Sequence, residues 1–339
     1  MKIKPIVVSM GEPSGISSEI ILKSWKYRNK YKLHPFFIVD NNQKINHIIN
    51  YLNLNIETKI IKDPNETIEY FQNKLPIFNI GEKIEFQLGK PNKNNSKIIL
   101  QSIKKSFDFV SSKKAKGLLT LPVCKKTLRS SGFKFNGQTE FIGDLSKKKF
   151  GNGNQEIMIL STTKPVDNGK NLIIGLVTTH IPLKEVFKYL TKKKIEDKLS
   201  IFNNSLKKVW NIKKPKIGIT GLNPHSGEDG LIGIEEKKII EPIIKKFKNK
   251  GVHVYGPLST DSCFFKSIRE KYDGILCLYH DQGLSPVKTL DFFNSINVTA
   301  GLPILRVSPD HGPAFDIAKK NSAKINSVVS SIRFLEKHV

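Results

Sequence analysis

Three histidines in this chain stand where a metal site could form. Each comes directly after an apolar stretch that predicts a buried strand: His180 after Leu172–Thr178, His225 after Lys216–Thr220, and His280 after Gly274–Tyr279. Ligands of α/β sheets bind outside the carboxyl ends of the strands. Three neutral imidazoles meeting there would hold a divalent ion and leave positions open for substrate. The residues alone leave a second interpretation open, in which each is an ordinary strand-end histidine.

A group of two cations and an amide lies further along the chain. Lys288, Asn297 and Arg306 occur close together in sequence, around the turn-like segment "GLP". Such side chains suit an anionic substrate, for example a phosphate ester, because charge-assisted hydrogen bonds are stronger than neutral ones. Lys288 by itself would more often be a surface lysine. Arg306 is the stronger candidate, because it lies in the apolar segment "GLPILRV" of an arginine-poor chain.

Two glycine-bearing loops are candidates for anion or cofactor binding. The first, Gly11–Gly15, reads "GEPSG" between the first predicted strand and a helix, where backbone N–H groups could face an anion. It lacks the G-x-G-x-x-G spacing of the dinucleotide fingerprint, so a standard Rossmann site is not predicted. The second, Asp310–Asp316, reads "DHGPAFD" near the end of the chain.

The elements that would position these residues alternate between strand and helix. We predict strands at Ile6–Met10, Pro35–Val39, Gly117–Val123, Ile157–Ser161, Leu172–Thr178, Lys216–Thr220, Val252–Tyr255, Gly274–Tyr279 and Ile296–Ala300. Long helical patterns, such as Ile98–Ser112 and Ile234–Lys248, lie between several of them. This alternation predicts the α/β class.

Length and cysteine content set further bounds. With 339 residues the chain can form one large or two ordinary domains and needs no disulfide or structural metal to fold. Its three cysteines are scattered and odd in number, which favours free thiols in a reducing compartment. No apolar run has the length of a membrane span, and the first apolar stretch is too short for a signal sequence. We therefore expect a cytoplasmic protein with no membrane partner.

The strongly basic composition at first suggests nucleic-acid binding. The formal net charge is +26 and the pI about 9.8, and clustered cations can neutralise phosphates. However, only five of the 56 lysines and arginines are arginine, the side chain favoured for bidentate phosphate and base contacts. The lysines are spread along the chain in small groups. We interpret them as solvated helix faces and expect no specific nucleic-acid partner.

Taken together, these segments resemble the 4-hydroxythreonine-4-phosphate dehydrogenase family of vitamin B6 biosynthesis. The motifs occur in the family's order over nearly the whole chain: "GEPSGI", "LPVCK", "GQTEF", "TTHIPL", "GLNPHSGE", "YHDQGL", "INVTAGLP" and "DHGPAFDIA". Each motif is weak alone, but the ordered set is highly specific. The resemblance implies an enzyme that uses NAD or NADP and one divalent ion, which would be Zn, Mg or Co.

The resemblance also implies an architecture. The family is similar in fold to isocitrate and isopropylmalate dehydrogenases, with two α/β domains, an active site in the interdomain cleft, and a homodimer that completes each active site. We therefore expect a cofactor-side domain at residues 1–128 plus 285–339 and a central domain at residues 129–284, with the metal ligands and dimer contacts. Those relatives bind the dinucleotide through a loop of the type His-Gly-Ser/Thr-Ala-Pro, which reads "HGPAF" here.

The resemblance assigns roles to particular residues. The metal ligands would be His180, His225 and His280, with Asp281 as a partner that could fix the tautomer of His280. The substrate-binding residues would be Gln138, Thr139, Lys288, Asn297 and Arg306. The cofactor-binding residues would be Gly11, Glu12, Asp310, His311, Gly312, Ala314 and Asp316. Neither the residues nor the resemblance assigns the catalytic base.

The implied reaction is NAD-dependent oxidation of 4-phosphooxy-L-threonine at its 3-hydroxyl, followed by loss of CO₂ to give 3-amino-2-oxopropyl phosphate. Two departures leave the substrate open, since Gln138 and Cys124 both stand where the family motifs have histidine. One alternative is a paralogous dehydrogenase of 4-phosphothreonate or 4-phosphoerythronate. Another is a catalytically weak, basic polyanion-binding protein, which the intact set of three histidines argues against.

Overall fold

Strands and helices alternate along much of the chain, which confirms the predicted α/β class. The computed structural model describes residues 3–81, 84–151 and 156–339. The chain divides into two units, Met1–Leu145 with Pro303–Val339 (unit 1) and Ser146–Leu302 (unit 2). The expected division into a cofactor-side domain and a metal-binding domain, with limits at residues 128 and 284, stays a prediction.

The described residues form short strands that are connected mainly by helices. The strands are β1 Ile6–Ser9, β2 Phe36–Asp40, β3 Thr58–Ile60, β4 Leu75–Asn79, β5 Leu118–Thr120, β6 Ile157–Ser161, β7 Ile173–Leu176, β8 Lys216–Thr220, β9 His253–Leu258, β10 Gly274–Cys277, β11 Ile296–Ala300 and β12 Arg306–Pro309. The α-helices are α1 Ser17–Lys26, α2 Arg28–Tyr31, α3 Asn42–Tyr51, α4 Thr67–Tyr70, α5 Ser96–Ser111, α6 Lys125–Ser130, α7 Gln138–Phe150, α8 Leu183–Tyr189, α9 Lys192–Lys208, α10 Glu241–Asn249, α11 Lys266–Arg269, α12 His280–Leu290 and α13 Asn326–His338. Short 3₁₀-helices cover Pro64–Glu66 and Lys93–Asn95, a π-helical turn covers Glu236–Ile240, and the segment Pro224–Gly230 forms turns with left-handed backbone at its centre. Among these helices none has the length and apolar character needed to cross a bilayer.

In unit 1 the strands lie in the order β3-β4-β2-β1-β5-β12, and the pairs between them are parallel. Parallel strands need crossover connections, which usually contain helices. Helix α5 is one of them, and its apolar residues, such as Ile99 and Ile103, recur at helical spacing and are buried. Ser102 of α5 accepts the N–H of Met10 at 2.8 Å and donates to the carbonyl of Val39 at 2.6 Å. This hydroxyl ties together the ends of β1 and β2.

In unit 2 the strands lie in the order β11-β6-β7-β10-β8-β9. The pairs β11–β6 and β6–β7 are antiparallel, whereas β7, β10, β8 and β9 run parallel. The register aligns Ile275 of β10 with Ile174 of β7 and with Gly218 of β8. The carboxyl ends of β7, β10 and β8 therefore lie at one edge of the sheet, and this positions the segments that follow them.

Close packing of α9 on the unit 2 sheet depends on two glycines. Phe202 of α9 is fully buried. A Cβ at Gly175 of β7 would lie 2.8 Å from its ring, and a Cβ at Gly274 of β10 would lie 2.7 Å from it. Only glycine leaves room for the ring at these positions, and burying a phenylalanine stabilises the fold by about 1.5–3 kcal/mol. The contact anchors the parallel strands that precede the histidine segments.

The nine strands predicted from the sequence are present as β1, β2 and β5 to β11, with bounds that differ by a few residues. The prediction missed β3, β4 and β12. Strand β3 has three residues and buries none of them fully, and β4 contains Pro76, which is uncommon inside strands. Strand β12 begins with Arg306, a residue type that is seldom fully buried.

The predicted helix Ile234–Lys248 is present in a modified form. The π-helical turn Glu236–Ile240 precedes α10, and the second residue of α10 is Pro242. Proline has no N–H to donate, and its ring clashes with the carbonyl four residues earlier. The regular hydrogen-bond ladder is therefore interrupted there, which is a recognised cause of π-helical bulges and kinks.

Candidate active site

Two of the three histidines lie side by side at the carboxyl edge of the unit 2 sheet. His180 follows β7, and His280 is the first residue of α12, shortly after β10. Their ring centroids are 5.4 Å apart, with 46° between the ring planes. His180 has a left-handed backbone with φ 50°, a costly conformation that clusters at functional sites. The structure thus brings these two predicted ligands together.

Asp281 contacts His280, as expected of an orienting partner. Its Oδ1 lies 2.7 Å from Nδ1 of His280. A carboxylate in this position favours the proton on Nδ1 and leaves Nε2 as the nitrogen that can bind a metal. The pair therefore has the arrangement that commonly accompanies metal-binding histidines.

His225 has a different partner. Its Nδ1 is 3.7 Å from Oδ2 of Asp261, and Ser259 donates a 2.5 Å hydrogen bond to the same carboxylate. The hydrogen bond from Ser259, supported by the nearby His225, holds the pKa of Asp261 below its usual value. The backbone from His225 to Asp229 has positive φ throughout. His225 is thus carried by an unusual loop and lies beside an ionised carboxylate.

The chemistry of the three histidines fits a divalent ion, although the ligand set is not assembled. Among the residues that the structure describes, no three or more His, Cys, Asp or Glu side chains are close enough together to hold a metal. Neutral imidazoles are nevertheless preferred ligands of zinc and related ions, and Asp281 already favours the required tautomer of His280. His225 would have to approach the other two rings to complete the set. The metal site therefore stays a prediction.

The loop that carries His225 is anchored by a buried glutamate. Oε1 of Glu236 accepts the N–H groups of Leu222 at 2.7 Å and of Asn223 at 2.8 Å, and Oε2 accepts Nδ2 of Asn223 at 2.9 Å. Burial acts to raise the pKa of Glu236, but the hydrogen bonds from Asn223 and Leu222 outweigh it and lower the pKa. The side chain is therefore an ionised acceptor near neutral pH, and it fixes the start of this loop.

In unit 1, a buried arginine donates hydrogen bonds to threonine and glutamine side chains. Arg306, at the start of β12, is 3% exposed. Its guanidinium donates to the hydroxyl of Thr120 from Nε at 2.9 Å and from Nη2 at 2.5 Å, and Nη2 also donates to Oε1 of Gln138 at 2.7 Å. Nη1 lies 3.5 Å from the hydroxyl of Thr139. The structure thus brings together Gln138, Thr139 and Arg306, three of the predicted substrate-binding residues.

Gln138 is held at both ends of its amide. Oε1 accepts from Arg306, while Nε2 donates to the carbonyl of Leu121 at 3.0 Å. Burial lowers the pKa of Arg306 to about 9, and the charge of Glu140 opposes this shift. The guanidinium is therefore still cationic at neutral pH. A buried guanidinium is suited to an anionic ligand, because charge-assisted hydrogen bonds are stronger than neutral ones.

The other predicted substrate-binding residues lie in unit 2. Lys288 is in the last turn of α12, where Nζ is 3.5 Å from Oγ of Ser295 and 5.1 Å from the ring centroid of Phe292. Asn297 lies on β11, and its Oδ1 is buried without a hydrogen-bond partner among the described residues. A buried acceptor without a donor costs free energy until a ligand satisfies it. Asn297 is therefore suited to a donor group on a substrate.

The two predicted cofactor loops contact each other in unit 1. The N–H of Ile16 donates to the carbonyl of Pro313 at 2.9 Å, and a Cβ at Gly15 would lie 2.6 Å from the same oxygen. In the first loop, Glu12 is fully buried, and this burial raises its pKa. In the second loop, a Cβ at Gly312 would meet no other atom within 4 Å. The same two loops carry the other predicted cofactor residues, Gly11, Asp310, His311, Ala314 and Asp316. Glu12 therefore shapes the first loop from inside, and Gly312 leaves its backbone open to a ligand.

Sequence reasoning missed residues that hold these sites together, namely Thr120, Glu236, Asp261 and Gln282. Thr120 and Gln282 carried a usable signal, because both are polar residues at or just after a strand end, as the histidines are. Glu236 and Asp261 carried none. Their roles depend on contacts with segments that are distant in sequence, and residue spacing does not encode such contacts.

Comparison with known proteins relates the whole chain to one family. It matches the model of the Pyridoxal phosphate biosynthetic protein PdxA family over residues 32–335. It is 37% identical over 329 residues to the 4-hydroxythreonine-4-phosphate dehydrogenase of Zymomonas mobilis, covering 97% of this chain and 94% of that protein. The 4-hydroxythreonine-4-phosphate dehydrogenase structure from Klebsiella pneumoniae has a TM-score of 0.82 at 30% identity, with 98% of both chains covered. The terephthalate 1,2-cis-dihydrodiol dehydrogenase structure from Burkholderia xenovorans shares the fold, with a TM-score of 0.62 at 19% identity and coverage of 99% and 98%.

Glu236→Gln is expected to remove an acid-sensitive contribution to stability. The pKa of Glu236 is lower in the folded chain than its ordinary value of 4.5. Its contribution is therefore complete above that value and is lost as the pH falls through the lowered, folded-state pKa. The difference in melting temperature between wild type and Glu236→Gln should be largest near neutral pH and should shrink in acid.

Thermal unfolding followed by circular dichroism, from about pH 3 to about pH 7, measures this difference. Glu241→Gln is the matched control, because Glu241 is an exposed glutamate on the helix that follows. A Glu236→Gln difference that stays constant over this range, or an equal pH dependence in the control, would contradict the prediction.

Proposed function

The chain belongs to the Pyridoxal phosphate biosynthetic protein PdxA family, and on this basis we propose that it is a 4-hydroxythreonine-4-phosphate dehydrogenase of vitamin B6 biosynthesis. The substrate, 4-phosphooxy-L-threonine, is oxidised at its 3-hydroxyl while NAD⁺ is reduced to NADH. The β-keto acid so formed loses CO₂, and 3-amino-2-oxopropyl phosphate remains. Each CO₂ released therefore corresponds to one NADH.

The observation that carries this proposal is the pairing of His180 and His280 at the carboxyl edge of the parallel strands. Their rings are 5.4 Å apart, and Asp281 contacts the second ring. We assign His180, His225 and His280 as ligands of one divalent ion, which is zinc, magnesium or cobalt in this proposal. Such an ion, when bound, supplies the Lewis acidity that favours loss of the hydroxyl proton and of CO₂.

We assign the buried arginine of unit 1 to the substrate phosphate. Thr120 and Gln138 hold the guanidinium of Arg306 from two sides. Because its orientation is already restrained, less conformational entropy is lost when an anion binds. The phosphate is remote from the reacting carbon, so a fixed cation here would orient the 3-hydroxyl for reaction. Thr139 is assigned to the same group in unit 1, and Lys288 and Asn297 are the substrate-binding residues assigned in unit 2.

We assign the "GEPSG" and "DHGPAFD" loops to the dinucleotide, which is NAD or NADP. The contact between Ile16 and Pro313 supports this assignment, because it brings the two loops together. In this proposal the loops bind the dinucleotide mainly through backbone groups, so the loss of a threonine hydroxyl from the family's loop pattern is compatible with binding. The open backbone at Gly312 is available for close approach.

We also propose that the chain acts as a homodimer in the cytoplasm. Large apolar side chains of unit 2 are 58% to 86% exposed, namely Leu183, Phe187, Leu231 and Phe265. Contiguous apolar patches on a surface commonly mark contacts with another chain, and we assign these side chains to such a contact. The cysteines Cys124, Cys263 and Cys277 are free, as expected in a reducing compartment.

A second candidate function is oxidation of a related phosphorylated hydroxy acid, 4-phosphothreonate or 4-phosphoerythronate. The observation that favours it is Gln138, which replaces the histidine of the family motif and binds Arg306. A neutral amide cannot become cationic as histidine can. The change therefore alters the charge beside the phosphate-binding arginine and could alter the choice of substrate.

Following NADH absorbance with a panel of phosphorylated hydroxy acids tests the proposal. We expect 4-phosphooxy-L-threonine to yield NADH and CO₂ in equal amounts with a divalent ion present, and no turnover after chelation. Greater kcat/KM with 4-phosphothreonate or 4-phosphoerythronate would instead establish the second candidate. Salt-sensitive binding of nucleic acid without any NADH formation would contradict both.

His225→Ala is expected to abolish metal retention and turnover while the melting temperature is kept, because His225 lies on an exposed loop. His253→Ala is the matched control, since His253 is an exposed histidine at the start of β9. Metal content after dialysis and NADH formation measure the effect. Full activity of His225→Ala after chelator treatment would show that the metal assignment is wrong.

Arg306→Ala is expected to weaken binding of the phosphorylated substrate far more than binding of NAD. A hydrogen bond to a charged group contributes about 1.5–3 kcal/mol, so KM for the substrate should rise by roughly tenfold to a hundredfold. Arg306→Lys is the control, because it retains the charge without the planar fork and should recover part of the affinity. Steady-state kinetics with each substrate varied in turn measures both KM values. An equal rise for NAD would place Arg306 in the cofactor site.

Gln138→His is expected to make substrate affinity pH-dependent. The charged group that contacts Gln138 is the guanidinium of Arg306, which in turn is affected by the charge of Glu140. A histidine beside the Arg306 cation should have a pKa below the ordinary value of about 6.5. Its protonation would add positive charge near the phosphate, so the KM of the variant relative to wild type should fall as the pH falls.

The ratio of the two KM values, measured from about pH 5.5 to about pH 8, isolates this effect, because the ionisation of the substrate phosphate cancels in it. Gln138→Asn is the control, since asparagine is also neutral and should give a ratio that is constant with pH. A constant ratio for Gln138→His would show that the side chain at position 138 does not act on the bound phosphate.

A further inference from the structure

One buried amide joins three segments at the carboxyl edge of the unit 2 sheet. Gln282, in the first turn of α12, is 5% exposed. Its Oε1 accepts the hydroxyl of Thr220 and the N–H of Leu278, both at 2.9 Å. Its Nε2 donates to the carbonyl of Gly221 at 2.8 Å and to the hydroxyl of Thr260 at 3.2 Å. The amide thus accepts two hydrogen bonds and donates two.

These partners belong to the segments that carry the candidate metal site. Thr220 and Gly221 end β8 and begin the loop of His225, while Leu278 follows β10 and precedes His280 by two residues. The fourth partner, Thr260, is next to Asp261, which contacts His225. A single side chain therefore spans three strand ends that are far apart in sequence.

Position 282 requires a side chain that both accepts and donates hydrogen bonds, as the amide of glutamine does. Beyond the strand ends, the N–H of Leu278 and the carbonyl of Gly221 need partners inside the protein, because a buried backbone group without a hydrogen bond destabilises the fold. Glutamate has the same shape but no donor, so it would set a buried carboxylate against the carbonyl of Gly221. Leucine would fill the volume and leave all four partners unsatisfied.

From these contacts we infer that Gln282 is a positioning residue, which holds the strand ends that lead into His225, His280 and Asp261 in a fixed alignment, from which His225 approaches the other two rings when a metal binds. It touches neither substrate nor metal and acts through the backbone at the strand ends. The inference rests on the proposed function for its consequence in catalysis. The alignment itself is a property of the chain without metal.

Gln282→Glu and Gln282→Leu test the inference, with Asp273→Ala as the matched control. Asp273 connects β8 and β10 at the ends opposite to Gln282, where its Oδ2 accepts the N–H of Lys216 at 2.8 Å. The first measurement is hydrogen exchange of the metal-free protein. Both Gln282 variants should speed exchange together in the segments 221–230, 259–263 and 278–281, while Asp273→Ala should leave these segments unchanged.

The second measurement is titration with Co²⁺, followed by its visible absorption bands. Wild type and Asp273→Ala should bind Co²⁺ with the same affinity and spectrum, and the Gln282 variants should bind it at least tenfold more weakly, with an altered spectrum. In turnover, the variants should lose kcat while KM for NAD stays within about twofold, since the cofactor loops are in unit 1. A general structural role would instead lower the melting temperature of all three variants and leave the Co²⁺ spectrum of the folded fraction unchanged.

The two measurements separate this inference from the proposed function. Unchanged exchange in the three segments of both Gln282 variants would overturn the positioning role, whatever the metal data show. If wild type bound no Co²⁺ while exchange changed as expected, the alignment by Gln282 would stand and the metal assignment would fail. Wild-type Co²⁺ affinity in both Gln282 variants would overturn the link between alignment and metal binding.

Discussion

The parallel pairing of β7, β10 and β8 is the constraint on which the candidate metal site depends. Parallel neighbours end on the same side of a sheet, so residues that are distant in the chain are carried to one edge. Such strands are joined through long crossovers and need packing on their faces to hold them together. The ring of Phe202 supplies part of this packing, where Gly175 and Gly274 let it reach the strand backbone. Without that alignment, the strand-end histidines would have no common position, whatever their local conformation.

Past the strand ends the chain leaves the sheet, and its polar backbone groups need other partners. Two buried side chains provide them in unit 2. Gln282 satisfies backbone groups at the ends of β8 and β10, and Glu236 satisfies two N–H groups at the start of the loop of His225. The side chains that complete backbone hydrogen bonding therefore also shape the loops that carry chemistry.

The candidate site in unit 1 depends on a different feature, which is the buried cation of Arg306. Arg306 was recognisable from the sequence because it interrupts an apolar segment, and the family resemblance grouped it with Gln138 and Thr139, but its partner Thr120 was not recognised. The structure shows that Thr120 and Gln138 hold the guanidinium, so the residue that departs from the family motif has a defined contact. Desolvation lowers the pKa of Arg306 only to about 9, and the charge is kept at neutral pH. An anionic ligand would offset the cost of burying that charge.

The α/β class, the central strands and the strand-end positions of the three histidines were predictable from the amino-acid sequence, because hydrophobic patterning and polar strand ends are local properties. Three strands were not predictable in this way: β3 has only three residues, β4 contains a proline, and β12 begins with an arginine. Which residues become neighbours was visible only in the folded chain, where His180 lies beside His280, His225 beside Asp261, Arg306 beside Gln138, and Gln282 beside three strand ends. Each of these contacts joins segments brought together by strand pairing and crossover packing. Hydrophobic periodicity predicts which face of a strand or helix is buried. The order of strands in the sheet determines which residues pack against that face.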